Sequence, residues 1–261
     1  MKKLLTILLI LTTLSSSTRA ETNYKDFIVT DKLIWALTEN GDIRLFDKSG
    51  NRIEKQIASQ SQVLFLTKDN LDNPVIVNKA NEIKRYNASN NTWDIISKHK
   101  DNCFGITFDS KNSGYLITDK GIKDIITGKV YYSNKSLNNQ ITYKDKWGKP
   151  YCFLMDKNNR LWIGFGYGEW GGNLFVFDTS AKEFKKPELN SFQINLWPIK
   201  SFFEDSSSVY LSAGLQHMMT SGIIVKFDNL KASVLLESRS GWSKEVQKDS
   251  SRTMVDGEYI G

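Results

Sequence analysis

The side chains best equipped for chemistry lie in two long stretches edged by glycine, Phe165-Gly166-Tyr167-Gly168-Glu169-Trp170-Gly171-Gly172 and Ala213-Gly214-Leu215-Gln216-His217-Met218-Met219-Thr220-Ser221-Gly222. Glycine lets a backbone approach a ligand closely, while Tyr and Trp offer flat faces with a polar edge. Tyr167, Glu169, Trp170, Gln216 and His217, together with Trp197 from a third stretch, form the candidate ligand-binding set. Such a surface suits a glycan, a peptide or a protein partner.

The same residues do not add up to a catalyst. His217 has no nucleophile beside it, because Ser212 and Ser221 lack the glycine-flanked elbow of hydrolases. The pair Glu169 and Glu204 is not brought to acid–base distance by any spacing, so no catalytic residue is assigned. Two His and two Cys are too few for a Cys/His zinc site. Asp69-Asn70-Leu71-Asp72 and Asp156-Lys157-Asn158 lack the following glycine and distal Glu of a calcium loop and read as turns. No metal and no cofactor is expected. Cys103 and Cys152 open the innermost strands of consecutive units and are a disulfide candidate in an oxidising compartment, with two buried thiols as the alternative.

What positions the candidate residues is a repeat. A short strand with a large central residue recurs around Trp35, Ile76, Leu116, Trp162, Tyr210 and Tyr259, in steps of 41, 40, 46, 48 and 49 residues. An aromatic followed by Asp or Asn closes the next strand at Phe46-Asp47, Tyr86-Asn87, Phe177-Asp178 and Phe227-Asp228, without a clear counterpart in the third unit. An apolar run precedes each marker from the second unit to the fifth, and the stretch after the aromatic–acid pair supplies a fourth strand. Four strands in 40–50 residues is the size of one β-propeller blade, and stacking such sheets about an axis buries the faces that one sheet alone leaves open. The expected fold is all-β: a propeller of four-stranded antiparallel blades at about 23–59, 62–98, 102–134, 150–186 and 199–237, with a partial sixth at 251–261. Trp35 and Trp162 are expected to pack between blades. Because the sixth unit stops short, the chain is expected to be the front part of a longer product; a five-bladed ring closed by its C-terminal strand is the alternative. The distance between the two markers is 10 or 11 residues in the first two units but 15 and 17 in the fourth and fifth, which places the two glycine-edged stretches as enlarged loops on one rim. That rim also carries the connections holding Trp147, Trp197 and Trp242.

The chain has 261 residues, 40% hydrophobic and 25% charged, which excludes disordered and collagen-like classes. Lys2 and Lys3, the apolar run Leu4 to Leu14 and the small residues up to Ala20 read as a secretory signal at 1–20, too short to span a bilayer. The protein is therefore expected to be exported, to the periplasm or the extracellular space, with no membrane span after signal removal. Losing Lys2, Lys3 and Arg19 takes 35 basic residues to 32 against 29 acidic ones, so the formal charge falls from +6 to +3. The remaining Lys and Arg are scattered, and no nucleic-acid partner is expected.

Asp156-Lys157-Asn158-Asn159-Arg160-Leu161-Trp162-Ile163-Gly164, continuing into Gly171-Gly172-Asn173-Leu174-Phe175-Val176-Phe177-Asp178, resembles the two-component-regulator propeller repeat, with Asn159 where glycine is usual and Phe165 where Thr is usual. The resemblance implies a sensory propeller outside the membrane. Asn40 to Gly50 and Thr127 to Tyr132 are similar to pyrroloquinoline-quinone-type propeller repeats, which occur both in dehydrogenases and in non-catalytic scaffolds. Such motifs mark a blade and not its task. The expected function is a non-catalytic binding or sensory module. The alternatives are a propeller enzyme, either a quinone-dependent dehydrogenase or a polysaccharide lyase or hydrolase, and a cell-envelope assembly scaffold.

Overall fold

A computed structural model describes residues 22–54, 57, 60, 62–216, 219–239 and 253–256. Five antiparallel meanders follow one another along the chain. The first sheet holds β1 (Tyr24–Val29), β2 (Ile34–Thr38), β3 (Ile43–Phe46) and β4 (Arg52–Ile53); the second holds β5 (Val63–Lys68), β6 (Pro74–Asn78), β7 (Glu82–Asn87) and β8 (Thr92–Lys98). The third comprises β9 (Cys103–Phe108), β10 (Gly114–Thr118), β11 (Gly121–Asp124) and β12 (Val130–Tyr131). The fourth comprises β13 (Cys152–Met155), β14 (Arg160–Gly166), β15 (Gly172–Asp178) and β16 (Glu183–Lys185). The fifth comprises β17 (Ile199–Glu204), β18 (Val209–Gln216), β19 (Met219–Asp228) and β20 (Lys231–Arg239). The first strands of successive sheets touch in order, so the sheets stand side by side as the blades of a β-propeller. A further strand, β21 (Thr253–Asp256), pairs in parallel with β20. The described part of the expected sixth unit is thus an outer strand of the fifth sheet. Its marker Tyr259 and the leader at 1–20 lie outside the described residues.

Second strands are covered on both faces, which is why β6 and β10 are buried throughout and read as unbroken apolar runs. Each of four hydrophobic clusters straddles one junction. Trp35, Leu37 and Leu45 meet Ile76, Tyr86 and Trp93 between the first and second sheets, and Val75, Val77 and Ile83 meet Ile106 and Leu116 between the second and third. Tyr115 and Ile117 meet Leu161, Ile163 and Phe177 between the third and fourth, and Trp162 and Val176 meet Leu211, Val225 and Phe227 between the fourth and fifth. Full burial of one large apolar side chain contributes about 1.5–3 kcal/mol, so these junctions carry most of the favourable energy.

Trp35 and Trp162 occupy equivalent places, each facing the following sheet. Ile76 and Leu116 do not: they face the preceding sheet, and the residues equivalent to Trp35 are Val75 and Tyr115. An offset of one residue in a strand exchanges its faces. The third unit also has the acid that its sequence hides. Asp124 Oδ1 accepts the N–H groups of Ile126 and Thr127 at 3.0 Å, as Asp47 and Asp178 do for their own turns, but Lys123 replaces the preceding aromatic.

The turns between first and second strands repeat one device. Asp69, Asp109, Asp156 and Asp205 each accept two following backbone N–H groups through Oδ1. The residue three beyond the Asp is left-handed in three of these turns, with φ 64° at Asp72, 61° at Asn112 and 61° at Asn159. Asn tolerates this region better than most residues, and here it does something glycine cannot: Ser110 N–H donates to Asn159 Oδ1 at 2.7 Å and Asn70 N–H to Asn112 Oδ1 at 2.8 Å. Asp31 N–H donates likewise to Asp72, and Lys157 N–H to Glu204. Hydrogen bonds thus link every turn to the next across the blade boundaries.

Candidate functional site

The extra length in the fourth and fifth units lies on the rim opposite these turns, as a loop in the fourth; in the fifth the expected loop at 213–222 is corrected, because β18 and β19 stay paired as far as Gln216 and Met219. After β14 the chain makes one 3-10 turn, Gly168–Trp170, and returns through Gly171 at φ 73°. A Cβ on Gly171 would stand 2.2 Å from the Asn195 carbonyl oxygen, so close approach as well as backbone angle requires glycine there. The loop is held from below. Asn138, fully buried, donates through Nδ2 to the carbonyls of Trp170 at 3.0 Å and Gly172 at 2.9 Å. Asn173, also fully buried, donates to Ser136 Oγ at 2.8 Å and Tyr143 OH at 3.3 Å, and accepts Leu137 N–H at 3.0 Å. Tyr143 bonds Tyr167 hydroxyl to hydroxyl, and burial raises its pKa despite the Asn173 hydrogen bond, so it serves as a neutral phenol.

On this support Trp170 is 64% exposed and Glu169 is exposed beside it. Tyr167 is half-buried, stacked on Phe165 with ring centroids 6.1 Å apart. Trp197 is 3% exposed and packs in the core shared by the fourth and fifth sheets, as Trp147 does between the third and fourth. Its indole fills a gap, and its carbonyl comes within 2.6 Å of where a Cβ on Gly172 would lie. The 3-10 turn touches β18 of the fifth sheet. Gln216 ends β18 with its backbone paired to Met219; His217 lies outside the described residues. The structure therefore brings Tyr167, Glu169 and Trp170 together beside β18 and puts Trp197 beneath them.

Asn138, Tyr143 and Asn173 were not among the residues singled out from sequence. The signal that points to Asn138 and Tyr143 is the length of the connection from Tyr131 to Cys152, the longest between described sheets, whereas Asn173 lies in β15. The same connection borders a hollow of about 460 Å³ against the fourth sheet, floored by Leu137, Leu174 and Phe184 and edged by Lys135, Lys185 and Lys186.

Cys103 and Cys152 are free thiols, which corrects the disulfide candidate. Cys103 packs with the junction of the second and third sheets and donates to the Gly105 carbonyl at 3.4 Å, whereas Cys152 packs with the junction of the fourth and fifth. Burial pushes both thiols up to about 12. The Asp69 and Asp156 loops are occupied as turns by their own backbone, and no cluster of metal-ligating side chains occurs among the described residues.

No protein-family model matches the sequence, and no curated protein does. Solved structures do. The extracellular domain of a hybrid two-component system from B. thetaiotaomicron shares 17% identity at a TM-score of 0.53, covering 85% of this chain and 29% of that one. A second extracellular domain from a B. thetaiotaomicron one-component system gives 14% and 0.56, over 85% and 29%. PorZ, a surface component of the type-IX secretion system of Porphyromonas gingivalis, gives 14% and 0.54, over 80% and 33%. The chain thus spans about a third or less of these proteins. At such identities the likeness is one of fold, and the fold shared with these extracellular and surface proteins is the β-propeller.

Proposed function

We propose that this protein is an exported, non-catalytic propeller module that recognises a glycan, peptide or protein through the rim shared by its fourth and fifth sheets. The observation that carries the reading is Trp170: a large aromatic 64% exposed on a turn whose two flanking carbonyls are pinned by a fully buried Asn138. Keeping an indole in water is unfavourable, and a pre-ordered one loses little entropy when a ligand covers it. Glu169 supplies a polar group beside it, Tyr167 and Trp197 support the loop, and Gln216 and His217 belong to the proposed surface on their sequence position alone. Export rests on the signal-like leader and agrees with the extracellular or surface setting of the structural neighbours. No helix among the described residues is long and apolar enough to cross a membrane.

The test is to screen the mature protein against arrays of oligosaccharides and peptides by intrinsic tryptophan fluorescence. Trp170→Ala should weaken any identified ligand by about 2 kcal/mol, roughly 30-fold, the range for a central interface Trp, without changing the melting temperature. Binding left unchanged by both Trp170→Ala and His217→Ala would refute the site.

A further inference from the structure

A groove runs along the outer side of the fourth sheet. There β16 pairs only Glu183–Lys185 with Val176–Asp178 of β15, so Leu174 and Phe175 have no strand beside them on that side, and the hollow of about 460 Å³ opens against them. It continues into a second hollow of about 600 Å³ that shares Ser136, Leu137, Lys186 and Pro187 with the first. The floor is apolar, with half-buried Leu137 and Phe184 beside buried Leu174 and Phe175. The polar groups of one wall are satisfied within the chain. Ser136 Oγ donates to the Asn138 carbonyl at 2.6 Å and accepts Asn173 Nδ2–H at 2.8 Å, and Asn173 Oδ1 accepts Leu174 N–H at 2.9 Å. At the edges Lys185 is paired with Glu183, whereas the exposed Lys135 and Lys186 have no acidic partner among the described residues. Three lysines against one acid, Glu188, give the lining a net positive charge.

The other wall is the segment from Lys186 to Asn190, and its backbone is half used. Glu188 N–H donates to the Leu230 carbonyl at 2.8 Å and the Glu188 carbonyl accepts Ala232 N–H at 2.8 Å, a parallel bridge to the fifth sheet. In such a pairing the flanking groups turn the other way. The Pro187 carbonyl and Leu189 N–H therefore point away from the fifth sheet, both residues line the hollow, and neither group has a partner among the described residues. That acceptor and donor, one residue apart on either side, are the pair that a single residue of an added strand fills. We infer that this groove docks an extended acidic peptide: alternate apolar side chains lie on the Leu137 and Phe184 floor, carboxylates reach Lys135 and Lys186, and one backbone residue pairs with Pro187 and Leu189. Each feature excludes an alternative. A lipid tail would cover the floor and leave the backbone pair unmet, and a neutral sugar would find the Ser136 and Asn173 wall already occupied by the protein's own hydrogen bonds. In an extended peptide successive side chains face opposite sides, so alternation of apolar and acidic residues matches a floor below and cations at the rim.

The test titrates the full chain, by fluorescence anisotropy, into fluorescein-labelled octapeptides. One alternates glutamate with leucine and one alternates lysine with leucine; two further copies of the first carry methyl groups on either the leucine or the glutamate backbone nitrogens. The glutamate–leucine peptide is expected to bind, and the lysine–leucine peptide is not. Combining Lys135→Glu with Lys186→Glu, two exposed positions, should weaken binding by about tenfold or more, while Lys79→Glu with Lys100→Glu, the same change of net charge on exposed residues outside the groove, should leave it unchanged. At least one of the methylated copies should lose about tenfold, because one of the two sets of N–H groups faces Pro187 and Leu189. No binding of the glutamate–leucine peptide up to about 1 mM, at the weak limit of specific recognition, overturns the proposal. So does an equal loss in the two lysine pairs, which would make the attraction one of overall charge. Unchanged binding of both methylated copies also overturns it. Displacement of the peptide by polygalacturonate at equal carboxylate concentration would make the occupant an acidic glycan and overturn it as well.

Discussion

Replacing Asp156 should be the most damaging single change in the turns, and the amide substitution shows why. Its Oδ1 accepts Asn158 N–H at 2.9 Å and Arg160 N–H at 2.8 Å; its Oδ2 accepts Trp162 Nε1–H at 2.9 Å and Arg160 Nε–H at 2.8 Å. Asp156 is 3% exposed, Arg160 8% and Trp162 fully buried. In Asp156→Ala the indole N–H loses its acceptor, at about 1–3 kcal/mol, and the guanidinium keeps only Asn229 Oδ1, at about 3–5 kcal/mol for a broken buried pair. Both penalties come from one carboxylate and overlap, giving about 4 kcal/mol together. Asp156→Asn still caps the turn through its carbonyl oxygen but points an NH₂ at two donors, so it should recover only about 1 kcal/mol. Urea unfolding followed by tryptophan fluorescence, with a slope of about 2 kcal/mol per molar, should show midpoints lowered by about 2 M for Ala and about 1.5 M for Asn. Asp69→Ala is the internal comparison: its partner Arg85 is 33% exposed and reaches water, so the loss should be about 2 kcal/mol. The reasoning fails if Asn at 156 is as stable as wild type, or if the Ala variant there is no worse than the one at 69.

Asn159→Gly keeps the left-handed angle and loses only the acceptor for Ser110, so it should cost about 1 kcal/mol, while Asn159→Ala adds backbone strain of about 1 kcal/mol more; the same urea titration ranks them. Glu82 is held down to about 2 by hydrogen bonds from Lys84, Asn78 and Lys98. A lowered folded-state value means that its contribution is present above about pH 4.5 and lost as pH falls towards 2, and Glu82→Gln should flatten the acid limb of a stability–pH curve over that window. The raised thiols work the other way: unfolded cysteines ionise near 9 and folded ones near 12, so stability falls as pH rises between those values. At pH 8 a thiol reagent should titrate two groups in denaturant and react only slowly with the native protein.

The repeat was legible because each unit must bury both faces of its sheet, which forces large residues to recur at Trp35 and Trp162. It was misread by one position at Ile76 and Leu116, where a strand apolar on both faces carries no alternation to say which side is which. Asp124 escaped notice because the aromatic before it is replaced by Lys123, although the turn chemistry needs only the carboxylate. For the candidate site, insertion length marks a loop in the fourth unit, where the 3-10 turn touches β18, but in the fifth the same extra length is mostly paired strand, which spacing alone does not distinguish from a loop. What sequence could not separate was the two uses of tryptophan. Trp170 and Trp197 are the same residue type in similar loops, yet one stands in water and the other fills a gap between sheets. The pins Asn138 and Tyr143 act on residues 24 to 34 positions away, and no local pattern advertises such a reach.

Because each apolar cluster belongs to a single junction, opening one junction leaves the packing of the other clusters in place. Local opening should therefore proceed joint by joint, and amide exchange should report each joint separately. The rim around Trp170 spans the joint of the fourth and fifth sheets, so a molecule held there clamps that joint. At a hundredfold excess over its dissociation constant it would add about 2.7 kcal/mol against opening. Recognition and resistance to unravelling would then be two readings of the same joint.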